Sequence, residues 1–236
     1  MMHPANPAEL DIPVSHSLPS PYLESGLALD PHAHSSSTAE LRYVLHVGCG
    51  RAAPERLPAC FRNPQWREVR LDIDPAVEPD VVASITDLSV VQDACVDAVW
   101  SSHNLEHLEA YQVPLALAEF RRVLKSDGFA LITLPDLRAI ARQILSGNLE
   151  NTLYEAPCGP IRPIDMLFGH QDSLAAGKVY MAHRCGFTAD TLGQALAEAG
   201  FDEVRVIEGK RWDLWALATM PDIDPAIFDE LAKVSA

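Results

Sequence analysis

Hydrophobic residues along this chain come in short runs that alternate between the unbroken apolar blocks of buried strands and the three-to-four-residue spacing of helices. The first block gives a strand over 43–47 and stops at Gly48 and Gly50, as a strand of a parallel sheet does where the chain must turn. Blocks of the same kind run from Val69 to Asp72, over 80–83 (D-V-V-A), over 96–101 (V-D-A-V-W-S) and from Phe129 to Pro135, each bounded by polar residues. Leu115 to Leu124 places Leu117, Phe120, Val123 and Leu124 on one face and Glu119, Arg121 and Arg122 off it, which predicts a surface helix stopped by Asp127-Gly128. Leu137 to Ser146 repeats the helical period before Gly147. Thr188 to Ala199 repeats it again, with Thr188 as N-cap, Leu192, Ala195, Leu196 and Ala199 as the apolar stripe, and Gly200 past the end. The closing blocks, Glu203 to Ile207 and Trp212 to Thr219, are joined by only E-G-K-R. That link suits an antiparallel hairpin and is too short for a parallel crossover.

The alternation predicts a mainly parallel α/β sheet finished by an antiparallel pair. Pro54 and Pro58 interrupt the segment after the glycines, so the first crossover should be short or irregular. Two stretches fall outside the alternation. Residues 1–38, with Pro4, Pro7, Pro13, Pro19, Pro21 and Pro31 among Ser, His and Ala, read as a mobile N-terminal arm, and His32 and His34 in it as solvated tail rather than metal ligands. Residues 148–187 carry too many prolines and glycines for one regular element, and a loop of that length inside a compact domain is usually a lid or a binding surface. The organisation expected is therefore an arm at 1–38, a domain at 39–220 that includes the lid or insertion at 148–187, and a tail at 221–236.

Composition narrows the setting. A chain of 236 residues, 48% hydrophobic, has room for one large core. Its formal charge of −15 disfavours nonspecific nucleic-acid binding. Five scattered cysteines without C-x-x-C spacing read as reduced thiols, and no apolar run approaches the roughly 20 residues of a membrane span. The expected location is the cytoplasm.

The chemistry is concentrated where the first two strands end. Gly48 and Gly50 lack the Cβ that would block a ligand's approach. The second strand delivers Asp72 at about the ~20-residue spacing at which α/β nucleotide-binding units place an acid on ribose hydroxyls. An adenosine-type cofactor is the first expectation, with Asp74 as the alternative acid.

From about Arg42 to Ala218 the chain resembles the class I S-adenosylmethionine-dependent methyltransferases, in particular a small-molecule, type 11-like group. The resemblance runs through V-L-H-V-G-C-G, L-D-I-D-P, V-D-A-V-W-S-S-H-N-L-E-H-L, E-F-R-R-V-L-K-S-D-G-F-A-L-I-T-L-P-D and L-A-E-A-G-F. It implies a Rossmann-like methyltransferase fold, α/β, with a mostly parallel seven-stranded sheet, the last strand antiparallel, and helices on both faces. It also implies S-adenosyl-L-methionine as cofactor and a small or medium-sized acceptor. By position, Gly48, Cys49 and Gly50 match the loop under the methionine and ribose, and Asp72 matches the ribose acid, with Ile73 beside it. Ser84 to Leu88 matches the adenine contact, through Ile85 or Asp87. Ser102, His103 and Asn104 match the methionine end facing the substrate, where His103 is the candidate base. His46 stands where relatives carry an acid near the cofactor's amino group, and Ala52 replaces a third glycine.

Three further readings complete the expectation. His103 and His107, at i and i+4, would share a helix face and could bind zinc or magnesium, whereas the adjacent Glu106 and His107 would diverge. A hydrogen-bonded tether without metal is the preferred reading. In the 148–187 segment, Tyr154, Asp165, His170 and His183 are the candidate substrate residues, with Tyr180 and Arg184 as further polar groups. The rival functions are a non-catalytic cofactor-binding member of the same fold and a nicotinamide-dependent oxidoreductase; the latter usually needs a Tyr-x-x-x-Lys pair, which the chain lacks. Acceptor identity and oligomeric state are not encoded in any of these motifs.

Overall fold

The computed structural model describes residues 41–224, so the expected arm at 1–38 and the tail from 225 onward lie outside the described residues. The chain enters the sheet with β1 (Arg42–Val47), whose side chains alternate between two cores. Val44 faces an aromatic cluster and Leu45 and Val47 face the aliphatic one. The first crossover is two 3-10 turns, Pro54–Arg56 and Ala59–Phe61, as the two prolines require. It leads to β2 (Trp66–Asp72), the two-residue β3 (Val81–Val82) and β4 (Val96–Ser102).

Helix α1 (Val113–Val123) buries Val113, Ala116, Leu117, Phe120 and Val123 as one stripe, each large side chain contributing about 1.5–3 kcal/mol by leaving water. It ends at Val123, short of Asp127-Gly128. Leu124 is already extended and pairs with Val96. β5 (Leu124–Pro135) therefore starts earlier than the apolar block suggested, with a register shift across the polar residues Lys125, Ser126 and Asp127. Asp136, almost fully buried, caps α2 (Leu137–Leu145) by accepting from the Arg138 amide at 2.9 Å.

The segment that follows is not a loop. It forms a hairpin, β6 (Tyr154–Ala156) with β7 (Gly159–Ile161), then α3 (Pro163–Phe168), α4 (Gln171–Ala175) and a 3-10 turn at Val179–Met181. Ile140, Ile161 and Met166 give it a small core of its own, packed by Ile144, Leu153 and Trp212. It leaves and rejoins the sheet at one point: Asp136 bridges Phe187, and the Leu137 amide donates to the Phe187 carbonyl at 2.9 Å. An insertion tethered at the carboxyl end of β5 must lie beside the ligand edge of the sheet.

Thr188 caps α5 (Ala189–Glu198), as its sequence signals predict. The chain closes with the antiparallel pair β8 (Glu203–Glu208) and β9 (Asp213–Thr219). The sheet runs β3-β2-β1-β4-β5-β9-β8, and β9 is antiparallel to both of its neighbours. Residues of α1 and α5 share one core with one sheet face. On the other face Leu57 and Phe61, from the short crossover, pack with Trp100, Phe129 and Trp215. Among the described residues no helix is long and apolar enough to cross a membrane.

Candidate functional site

The carboxyl ends of β1 and β2 meet in a tight cradle. Gly48 and Gly50 both have φ +60°, a left-handed conformation that side-chain-bearing residues avoid. A Cβ on Gly48 would fall 1.8 Å from Asn104 Oδ1, and one on Gly50 would fall 2.2 Å from Arg56 Nη1. Asn104 is held there by donating to the Val47 carbonyl at 2.8 Å and the Ser102 carbonyl at 3.2 Å. Arg56 donates to the Cys49 carbonyl at 3.2 Å. No sequence pattern points to Arg56. Burial pushes the Cys49 thiol up to about 11, so this sulfur is a packed thiol and not a nucleophile.

Asp72 organises the cradle. Its Oδ2 accepts from the Gly50 amide at 2.8 Å and its Oδ1 from the Asp74 amide at 2.9 Å, which fixes the carboxylate while leaving lone pairs on each oxygen. Asp74 turns away to cap the Pro75–Val77 turn through the Ala76 amide at 2.9 Å. Ile73 stands 62% exposed between them, a large apolar surface left at a ligand edge. Tyr180, from the insertion, comes close enough for the Asp74 and Asp72 charges to add to burial in pushing its phenol up.

Beyond β3, Ser84 and Asp87 form a bridge and Ser84 Oγ lies 2.8 Å from Thr86 Oγ1. Ile85 is partly buried against the aliphatic core. Asp87 is exposed, and its hydrogen bonds with Ser89 hold its carboxyl below the usual range. His46 lies on the sheet face that carries Trp100, its ring 6.4 Å from the indole, and donates from Nδ1 to Glu68 Oε1 at 2.6 Å. Position 46 is thus a buried histidine paired with a carboxylate from β2.

At the end of β4, Ser101 is buried and Ser102 half-buried, and the chain bends at His103 with φ +54°. The His103 amide donates to the Thr133 carbonyl at 2.8 Å and its Nδ1 to Glu106 Oε1 at 3.2 Å, while its side chain remains 43% exposed. Desolvation works against the imidazolium, but the hydrogen bond and charge of Glu106 outweigh it and raise the pKa above the ordinary histidine value. Glu106 is buried, which opposes its charge, yet the surrounding histidines hold its carboxyl below the usual range.

A glycine cradle, a fixed carboxylate and a polar β4 terminus meet along one sheet edge, where open α/β sheets bind ligands. The family model described as a methyltransferase domain matches residues 45–132, which include Gly48, Gly50, Asp72, Ser102 and Asn104. Residues 45–132 are a methyltransferase domain. The fold around it is similar to a SAM-dependent methyltransferase from Archaeoglobus fulgidus, at 16% identity over 77% of this chain and 87% of that one, with a TM-score of 0.51. It is also similar to a protein from Pyrococcus horikoshii OT3, at 14% identity over 78% of this chain and 84% of that one, with a TM-score of 0.50. No curated protein matches the sequence. The cradle residues fit an adenosine-type cofactor such as S-adenosylmethionine: two left-handed glycines, a fixed carboxylate with free lone pairs, and an exposed Ile73.

The insertion treats its four candidate residues differently. Tyr154 stacks on Trp212 at 6.3 Å and lies under the Arg211 guanidinium. His170 is buried, with Nδ1 2.8 Å from Ser173 Oγ. Asp165 is 2% exposed and fully engaged, accepting from Arg162 Nε at 2.8 Å, the Arg162 amide at 2.9 Å and the Gln171 amide at 2.9 Å. Burial opposes its charge, but these donors outweigh that and hold its pKa below the ordinary 3.8.

A carboxyl depressed by folding stabilises the native state above its ordinary pKa, and that contribution is lost as pH falls through the lowered value. Asp165→Asn should therefore cost about 1.5–3 kcal/mol at pH 7. The difference in thermal midpoint between the two proteins should close below about pH 4. A gap unchanged down to pH 2 would remove Asp165 from the insertion's framework.

His183 alone among the four reaches the methyltransferase domain's β4 terminus. Its ring stands edge-on to His107 at 4.9 Å, its Nδ1 donates to the Met166 carbonyl at 2.9 Å, and burial keeps its pKa below the ordinary value. The Arg184 and Cys185 amides donate to the Glu106 carbonyl at 2.7 and 3.2 Å, stitching the insertion's exit to the Leu105–His107 turn. That turn is 3-10 rather than α-helical, and His103 precedes it in a left-handed conformation. His103 and His107 consequently do not share a helix face, whereas Glu106 and His107, expected to diverge, converge with His183.

Proposed function

We propose that this chain transfers a methyl group from S-adenosyl-L-methionine to a small-molecule acceptor bound under the insertion. The observation that carries the reading is the Gly50 amide on the Asp72 carboxylate, which locks a left-handed glycine turn to a ribose-height acid at the ends of adjacent parallel strands. The bound cofactor supplies an electrophilic methyl on a sulfonium. Asp72 would accept the ribose hydroxyls, Gly48, Cys49 and Gly50 would pass beneath the ribose and methionine, and Ile73 and Ile85 would flank the adenine, with Asp87 within reach of its amine. Ser102 and Asn104 would border the methionine, and the His46–Glu68 pair would supply negative charge near its amino group. Arg56, the far end of a flexible side chain, would swing aside.

Holding nucleophile, methyl and sulfur in line accounts for much of the rate in such a reaction. His103 adds a fixed imidazole, its Nδ1 committed to Glu106 and its Nε2 the free ring nitrogen for a proton from the acceptor. Tyr154 and His183 would face the acceptor, while Asp165 and His170 shape the insertion that carries them. The charge of −15 argues against a nucleic-acid acceptor, and the free thiols favour a cytoplasmic, non-membrane setting.

The reading is tested by calorimetry with S-adenosylmethionine, S-adenosylhomocysteine and NAD, followed by a metabolite screen for the acceptor. Both sulfur ligands should bind one per chain and NAD should not. His103→Ala should then lower kcat by about 10²–10⁴-fold with S-adenosylhomocysteine affinity within a few fold. Binding without turnover on any acceptor would favour a regulatory member of the fold, and binding of NAD alone an oxidoreductase.

A further inference from the structure

Glu106, His107 and His183 form a cluster whose convergence the methyl-transfer reading does not account for. One ligand atom from each lies within 4.8 Å of those of the other two. The rings are oriented from behind by backbone: His107 Nδ1 donates to the Ala182 carbonyl at 3.1 Å and His183 Nδ1 to the Met166 carbonyl at 2.9 Å. A carbonyl cannot donate, so each Nδ1 carries the hydrogen and each Nε2 is the ring nitrogen left for a ligand. This is how proteins orient imidazoles that bind metal. The third group is Glu106, 1% exposed, whose Oε1 takes the His103 hydrogen bond and whose Oε2 is buried with no hydrogen-bond partner. A buried carboxylate oxygen left unpartnered costs more than the net worth of a hydrogen bond, and a cation between it and the two rings would satisfy it.

We propose that Glu106, His107 and His183 bind a divalent transition-metal ion, with His103 as the partner that orients Glu106. The proposal does not depend on the methyl-transfer reading. Two imidazoles and one carboxylate are a donor set for zinc and its first-row neighbours, and three protein ligands leave a coordination position for water or an oxygen of a small molecule. The spacing is close to what such an ion needs. An ion centred among three atoms 4.8 Å apart would sit about 2.8 Å from each, so side-chain shifts below about 1 Å reach the usual 2.0–2.2 Å. The ion would also join the insertion, through His183, to the turn after β4.

The test is titration of the full-length protein with Zn²⁺ at neutral pH, with Co²⁺ as the spectroscopic probe. The expected result is one tight site and a Co²⁺ spectrum with weak d–d bands and no thiolate charge-transfer band, although Cys185 lies nearby. His183→Ala and, as the conservative variant, Glu106→Gln should each weaken that site by at least about 100-fold, since loss of an outer-shell partner alone costs about 10–100-fold. Zn²⁺ should raise the thermal midpoint of the parent protein and not that of His183→Ala, while Cys185→Ser should bind as the parent does. Absence of binding, a thiolate band, or undiminished affinity in both ligand variants would overturn the proposal. The last result would move the metal to other side chains such as His3, His16, His32 and His34.

Discussion

Asp72→Ala weakens S-adenosylhomocysteine binding by about 1.5–3 kcal/mol, the worth of hydrogen bonds to a charged group. The loss has two sources. The carboxylate is the proposed acceptor for the ribose hydroxyls, and it also holds the Gly50 and Asp74 amides in place. Removing it frees the glycine loop as well as the contact. Asp74→Ala costs clearly less, because that side chain caps the Ala76 amide instead. Calorimetry on the two variants separates the assignments, and equal or reversed losses would move the ribose to Asp74.

Valine at either cradle glycine abolishes cofactor binding, but the two substitutions differ in stability. At φ +60° a β-branched side chain carries backbone strain of about 1–3 kcal/mol wherever it stands. At Gly50 the nearest obstacle is the mobile end of Arg56, so strain is most of the cost. At Gly48 the new Cβ overlaps Asn104, whose bonds to the Val47 and Ser102 carbonyls must break. Gly48→Val should therefore melt well below Gly50→Val while both lose S-adenosylhomocysteine binding in calorimetry. A Gly50→Val protein with normal binding would displace the cradle from this loop.

Much of this arrangement is legible in the sequence because it depends on local rules. Apolar blocks mark the strands, Thr188 and Gly200 bracket α5, and four residues between β8 and β9 permit only a hairpin. The G-C-G turn and Asp72 are adjacent in space because parallel neighbours end together. What is not legible depends on long-range docking or on a change of helix type. Arg56 over Gly50 and the small core of Ile140, Ile161 and Met166 have no sequence signature. The 148–187 segment, read as a loop, is five short elements anchored by the Asp136–Phe187 bridge. His107 pairs with His183 rather than His103 because a 3-10 turn replaced the α-helical spacing and the insertion supplied a remote ring.

The insertion's core also sets how it can be studied. Replacing 154–183 by a flexible linker would expose Ile140, now fully buried, so a fall in stability would not report on acceptor binding. A point variant at His103 is the cleaner probe.

The central claim is that the cofactor lies on the cradle formed by Gly48, Gly50 and Asp72. A crystal structure of the full chain with S-adenosylhomocysteine tests it most directly. The predicted result is both ribose hydroxyls within hydrogen-bond distance of the Asp72 carboxylate, the homocysteine passing over Gly48 and Gly50 toward Asn104, and the Arg56 side chain moved off Gly50. A ribose held by Asp74 with Asp72 uninvolved, or the ligand bound away from the ends of β1 and β2, would contradict it.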